Sequence, residues 1–371
     1  MSLLFSPTSF RDVTLRNRVV ISPMALYCAD EGRASPFHVS HLASFATGGA
    51  GLVFTESTKV ELRGMGSWGD LCLWNDAHLQ SLKPITRMIK DVGSVPGIQL
   101  NHSGRKARSQ RPWEGFGPLV GSDEELWPVI GPSAIAHGDG WATPREMTAA
   151  DISEVIDMWV ASTRLAQEAG FEVLEIHGAH GYLLHQFLSP KANQRGDQYG
   201  GSLQNRMRFA LELTEAVRQA WPENLPLFFR VSATDNMGWE LEDTVALATE
   251  LRSRGVDVID CSSGGMATRS PTASGQALAP GYQVPYAERV RCEAGVPSMA
   301  VGLIVDPEYA EQILREERAD LIAIGREALY NPFWPRHAAQ VLEREKGFAD
   351  WPVQYAWWLE RRARSRASTT R

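Results

Sequence analysis

The residue types with the most chemical capacity fall in one short stretch, HGAHGYL, where His177 and His180 stand three apart and Tyr182 follows two residues on. Imidazoles at that spacing suit two tasks: ligating a metal, with His185 further along as a third ligand, or offering neutral N–H donors to one substrate oxygen. The first task lacks the acidic neighbour of an HExxH site. Tyr182 carries a weakly acidic phenol able to deliver a proton in a dry pocket. Other polar groups recur just past short apolar runs: Ser22 and Tyr27, Glu56 and Ser57, Gln99 and His102, Arg230, then Ser262, Ser263 and Gly264. Two further runs end in AVG and IGR. Their Gly302 and Gly325 let backbone N–H groups approach a ligand, and Arg326 offers a guanidinium that forks onto phosphate oxygens.

These groups act together only if the apolar runs before them share one end. The runs read as strands at Arg18–Met24, Gly51–Thr58, Val95–His102, Phe171–Gly178, Leu225–Ser232, Val256–Ser263, Val296–Gly302 and Ala319–Gly325. Their nearly continuous apolarity predicts burial on both faces of a parallel sheet. Helical periodicity follows each, over Ser40–Gly48, Ala77–Val92, Ala149–Ala169, Leu203–Trp221, Leu241–Arg254, Val284–Glu293, Pro307–Glu317 and Phe333–Glu345. Asp76, Thr148, Ser202 and Asp306 read as N-caps, and Gly93, Gly170, Gly255 and Gly295 as helix ends. Eight strand-then-helix units predict an α/β chain folded as a (β/α)8 TIM barrel, one domain over residues 1–371. In that fold the carboxyl ends of the strands converge on the active face, and the loops after the last two strands form the usual phosphate site. A doubly wound sheet is disfavoured, because the first turn, Ser22-Pro23-Met24-Ala25, has no glycine.

Two stretches exceed the minimal barrel. The segment at about 103–148 is too long for a simple connection and too aromatic for a disordered linker, which predicts a lid or pocket wall. The tail at about 348–371 ends in an arginine-rich run (Arg361, Arg362, Arg364, Arg366, Arg371). Seven of the twelve tryptophans lie at 113–141 and 334–358, on or beside these two additions. An exposed Trp357-Trp358 pair is an aggregation liability on a monomer, so docking on a neighbouring subunit is expected.

Lysine and arginine total 37 and aspartate and glutamate 44, a net charge of −7. That balance argues against nucleic acid or an anionic membrane surface as partner. No window approaches the ~18 apolar residues of a membrane span, and the start lacks a signal-peptide pattern, so a cytoplasmic location is expected. Cys28, Cys72, Cys261 and Cys292 are scattered without a CxxC pair, and no metal site is expected from them.

With these residues in hand, the chain resembles the old yellow enzyme family of FMN-dependent ene-reductases, in its bacterial xenobiotic-reductase-like subgroup. The likeness runs through LRNRVVISPM, GIQLNHSGRKA, EIHGAHGYLLHQFLSPKANQRGDQYGGSLQNRMRF, FRVSA and DLIAIGR, effectively the whole chain. It implies an NAD(P)H dehydrogenase in which FMN, reduced by NADPH or NADH, passes hydride from N5 to the β-carbon of an activated alkene. Unsaturated ketones, aldehydes, imides and nitro compounds are the implied substrates. By the same resemblance Ser22, Pro23, Met24, Ala25, Ser57 and Gln99 hold the isoalloxazine ring, with Ser263 a further cofactor contact. Arg230 lies near N1 and the C2 oxygen, and Gly302, Gly325 and Arg326 take the phosphate. His177 and His180 bind the substrate oxygen, Tyr182 protonates the α-carbon, and Tyr27 lines the substrate pocket. Trp358 or Trp357 matches an aromatic contributed by the neighbouring subunit of a dimer or tetramer.

One departure stands out. The subgroup usually places a cysteine directly after SPM, where its thiol tunes the flavin, and this chain has Ala25. The expected result is a shifted redox poise and a roomier pocket. Two alternatives stay open at this stage: the same flavin chemistry run as a ketone desaturase, and a metal-dependent barrel hydrolase.

Overall fold

The computed structural model describes residues 2–122, 124–267, 277–343 and 347–369. Eight parallel strands close into a barrel: β1 (Val19–Ile21), β2 (Leu52–Lys59), β3 (Val95–Asn101), β4 (Val173–Gly178), β5 (Leu227–Ser232), β6 (Val258–Ser262), β7 (Ser298–Val301) and β8 (Leu321–Ile324). Chain order is ring order, and β8 returns to β1 with Ile322 opposite Val19 and Ile324 opposite Ile21. Around the barrel run α1 (Pro36–Thr47), α2 (Asp76–Asp91), α3 (Ala149–Ala169), α4 (Leu203–Ala220), α5 (Leu241–Ser253), α6 (Val284–Ala294), α7 (Pro307–Arg315) and α8 (Trp334–Leu342). The expected fold class is therefore the observed one.

Double burial explains why the strands read as continuous apolar runs. Val20, Leu52, Phe54, Val173, Phe228, Val258, Met299 and Leu321 point inward at the amino-terminal mouth and form one cluster. Their neighbours of opposite parity, including Val19, Val53, Leu174 and Phe229, belong to the larger shell beneath the helices. A hairpin of Thr8–Phe10 with Val13–Leu15 seals that mouth, adding Val13 and Leu15 to the inner cluster. Phe10 meets Phe228 edge-on at 5.7 Å. The sequence reading did not find this hairpin, because three-residue strands are too short to display a period of two.

Several boundaries are corrected by local bonding. Helix α1 begins at Pro36 rather than Ser40, since Ser35 caps it and its N–H donates to His38 Nδ1 at 2.9 Å. Asn75, not Asp76, caps α2, its Oδ1 accepting from His78 N–H at 2.9 Å. Asp76 is instead the first helical residue, where its charge meets the positive helix end. Thr148, Ser202 and Asp306 cap α3, α4 and α7 as expected. Helix α8 ends at Leu342; its expected end, Glu345, lies outside the described residues, as does Arg371.

The two aromatic additions divide between packing and surface. Trp127 is not pocket wall: it is fully buried with Met65, Cys72, Ala107 and Val129, and its indole N–H donates to Met65 O at 3.0 Å. Trp113 stays exposed, its ring edge-on to Tyr27 at 6.0 Å. In the tail, Trp351 stacks on Phe333 of its own chain, centroids 5.6 Å apart. The helix Val353–Thr369 then carries Trp357 and Trp358, both exposed and edge-on to each other at 4.4 Å. Among the described residues no helix is long and apolar enough to cross a membrane.

Candidate active site

At the carboxyl-terminal mouth the strand ends enclose two adjoining cavities that share Arg230, Ser262, Tyr282 and Gln283 as common wall. The larger, of about 320 Å³, is lined by Pro23, Ala25, Ser57, Gln99, Lys106, His177, His180, Tyr182 and Ser263, with Phe116 reaching in from the excursion. The smaller, of about 140 Å³, is lined by Gly302, Gly325 and Arg326. Most of the expected site residues thus come together. Met24 is partly buried against the helix-side core, and Ser22 is buried, its Oγ without a hydrogen-bond partner among the described residues. Tyr27 adopts a left-handed φ of 52° beneath Trp113. Trp358 sits on the tail helix and is not among the residues that line either cavity.

The histidine pair owes its placement to a clamp. His180 has φ 56°, and its backbone abuts Gly265, where an added Cβ would lie 2.3 Å from His180 Cα. Only glycine permits that approach. Lys106 Nζ donates to both His180 O, at 2.7 Å, and Gly265 O, fastening the two loops together. His180 Nδ1 then stands 3.4 Å from His177 Nε2, and His180 Nε2 2.7 Å from Ser262 Oγ. Burial, followed for His177 by the His180 ring and for His180 by the Arg230 guanidinium, pushes both imidazoles well below the usual histidine range, so both are neutral at pH 7. The Tyr182 ring lies 5.1 Å from His177, and burial with Asp70 nearby pushes its phenol up to about 12. Lys106 is drawn down to about 7 by burial and by Arg105. The GRKA motif carried this lysine in plain view, but a cation past a strand end does not announce a clamp.

Beneath the larger cavity, Gln99 Nε2 donates to Glu175 Oε1 at 2.8 Å, and Arg230 Nη1 pairs with Asp260 Oδ2 at 3.1 Å. Burial raises both carboxyls, Glu175 further because Asp260 faces it. Arg230 Nε has no hydrogen-bond partner among the described residues, although it is buried in the wall that both cavities share. An unused guanidinium N–H there suits a ligand with acceptors that spans both cavities. At the far end, Gly325 has open space where a Cβ would stand, and it precedes the short helix Arg326–Tyr330 without a side-chain cap. The uncapped start of this helix, beside Arg326, suits a phosphate. An elongated site with a polar ring-sized chamber and a cationic anion chamber fits FMN.

His185 does not join the pair. Its Nδ1 accepts from Gly181 N–H at 2.8 Å, and its Nε2 faces Asp235 at 3.5 Å. Among the described residues no group of three or more His, Cys, Asp or Glu side chains is placed to hold a metal ion.

Comparison with known proteins decides the family. The sequence profile of the NADH:flavin oxidoreductase / NADH oxidase family matches residues 3–345. The chain belongs to this family. An NADPH dehydrogenase of Bacillus subtilis (strain 168) is 43% identical over 356 residues, covering 95% of this chain and 98% of the relative. One from Geobacillus sp. (strain WCH70) is 43% identical over 345 residues, with 92% and 95% covered. Solved structures share the fold: the old yellow enzyme homologue from Zymomonas mobilis superposes with a TM-score of 0.76 at 24% identity, covering 92% of each chain. Morphinone reductase gives 0.75 at 24% identity over 91% of this chain and 89% of its own. As a family member the protein is an FMN-dependent oxidoreductase that uses NAD(P)H and acts on a small molecule.

Proposed function

We propose that this flavin oxidoreductase reduces the C=C bond of activated alkenes, with the larger cavity holding the isoalloxazine ring and substrate and the smaller one the FMN phosphate. The observation that carries the reading is the pairing of two neutral imidazoles, the buried His177 and the half-buried His180, with a protonated phenol, Tyr182, in one cavity. When bound, FMN supplies the redox chemistry, taking hydride from NAD(P)H and giving it to the β-carbon of the alkene. His177 and His180 donate N–H bonds to the substrate's carbonyl or nitro oxygen, which makes the β-carbon more electrophilic. Tyr182 Oη gives its proton to the α-carbon. Arg230, with its unused Nε in the shared wall, would sit beside the ring near N1 and balance negative charge there. Gln99 and Ser57 would hold the ring, with Pro23, Ala25 and Ser263 in contact, and Gly302, Gly325 and Arg326 would hold the phosphate.

Tyr27, with Trp113 against it, walls the substrate side. Trp357 and Trp358 seat the tail helix on a neighbouring subunit of a homo-oligomer. The free thiols of Cys28, Cys72, Cys261 and Cys292 fit a reducing compartment, the cytoplasm.

The test is anaerobic. The yellow protein is bleached with NADPH or NADH and then mixed with 2-cyclohexenone. The expected outcome is return of the oxidised flavin spectrum with one cyclohexanone formed per flavin. An enzyme that bleaches but is not reoxidised by cyclohexenone, by a maleimide or by a nitroalkene overturns the reading.

A further inference from the structure

A bulge in the β2–β3 ladder between Phe54 and Ser57 sets Ser57 opposite Gln99 and Lys59 opposite Asn101. Ser57 Oγ then receives two hydrogen bonds, from Lys59 Nζ at 2.9 Å and from Asn101 Nδ2 at 2.8 Å. A hydroxyl has two lone pairs and one hydrogen. With both lone pairs filled, the hydrogen must be donated, and among the described residues nothing accepts it. Ser57 lines the larger cavity, so a ligand there is the acceptor.

The arrangement is built, not incidental. Lys59 is only 3% exposed, and its ammonium is fixed by Asp70 Oδ2 at 3.6 Å. Asp70 is itself held by Gly66 N–H at 2.7 Å and Ser67 O–H at 2.8 Å. A buried ion pair is weak evidence for stability, which leaves specificity of geometry as the reason to keep a charge there. Asn101 is fully buried, and its Oδ1 has no partner among the described residues. Turning the amide over would let Ser57 donate to it but would orphan a buried NH2, and buried donors are left unpaired more rarely than carbonyls. Donation from an ammonium also polarises the Ser57 O–H and makes it a stronger donor.

We propose that Lys59 and Asn101 are positioning residues that fix Ser57 as an obligate hydrogen-bond donor to the isoalloxazine of FMN, raising the flavin's reduction potential on a wall where the Ala25 side chain has no donor to offer. The inference rests on the larger cavity being the ring's chamber. A reduced ring is richer in electrons and accepts such a bond more strongly than an oxidised one, so the donor favours reduction. The electron pair and hydrogen come from NAD(P)H, and Ser57 keeps its proton throughout.

Spectroelectrochemical titration of the holoenzyme against a reference dye tests this, using wild type, Ser57→Ala, Lys59→Met and the double variant. Each single change is expected to shift the equilibrium toward oxidised flavin by about fivefold to tenfold, with a displaced visible flavin band. Lys59→Met is expected to add less than about twofold in the Ser57→Ala background, because it acts through the missing hydroxyl. Equal Lys59→Met shifts in both backgrounds would reduce Lys59 to a nearby charge and overturn the inference, as would an unchanged potential in Ser57→Ala. Should Lys59→Met fail to fold, Asn101→Leu in both backgrounds reads the same coupling. Alkene reduction is tested separately by reoxidation of the wild type, so failure of that reading and failure of this one are distinguishable.

Discussion

His177 Nε2 and His180 Nδ1 stand 3.4 Å apart, and burial, with the His180 ring beside His177 and the Arg230 guanidinium beside both, keeps each imidazole from gaining a proton. Their folded pKa values lie below the ordinary 6.5, so below that pH the unfolded chain binds protons that the native state refuses. Stability therefore falls as pH drops below about 6.5. Thermal unfolding at pH 7.5 and 5.5 should show a loss for the wild type that is smaller in His177→Gln. An equal loss in both proteins would mean that His177 is not held neutral.

Tyr182 keeps its proton because burial and Asp70 raise it to about 12. Replacing it by Phe should slow reoxidation by cyclohexenone by about a hundredfold or more, the range of lost general-acid catalysis. Reduction by NADPH should change little. Stopped-flow measurement of the two half-reactions separates these outcomes, and equal slowing of both would count against the phenol as proton donor. No tyrosinate absorbance from Tyr182 should develop below about pH 10.

Arg326 faces the smaller cavity and opens the helix that follows Gly325. Arg326→Ala should weaken FMN binding by about tenfold to a hundredfold, the worth of charge-assisted hydrogen bonds. Riboflavin, which lacks the phosphate, should bind wild type and variant alike. Fluorescence titration of the apoprotein with both flavins checks this, and a parallel loss for riboflavin would move the phosphate elsewhere.

The Trp357-Trp358 pair is exposed although Arg361 lies against the Trp357 ring. If the tail helix seats on another subunit, the double variant Trp357→Ala, Trp358→Ala should lower the mass seen by size exclusion with light scattering. An unchanged mass would place these rings outside the interface.

Much of this was legible in the amino-acid order, for a physical reason. Strands buried on both faces leave apolar runs such as LFFRVS, and the first polar residue after each run marks the mouth; Ser57, Gln99, His177 and Arg230 were found that way. Glycine spacing in AVG and IGR likewise marked the smaller cavity. What escaped depends on cross-chain approach. Lys106 matters because Gly265 lies against His180, a relation with no period or spacing to display. Lys59 shares a strand face with Ser57 two residues before it, but a lysine in that alternation reads as a solvated charge, and its burial against Asp70 has no mark in the sequence. Trp127 was ambiguous for the opposite reason: an aromatic in the long 103–148 segment can wall a pocket or anchor the segment, and its indole bond to Met65 anchors it.

The hairpin Thr8–Leu15 leaves the barrel stoppered at one end. A vessel with a single doorway forces its visitors to take turns. On the proposed reading pyridine nucleotide and electron acceptor come and go by the same mouth to the same chamber, and ping-pong kinetics are the expected outcome: parallel lines in a double-reciprocal plot, and each substrate at high concentration inhibiting by occupying the doorway the other needs.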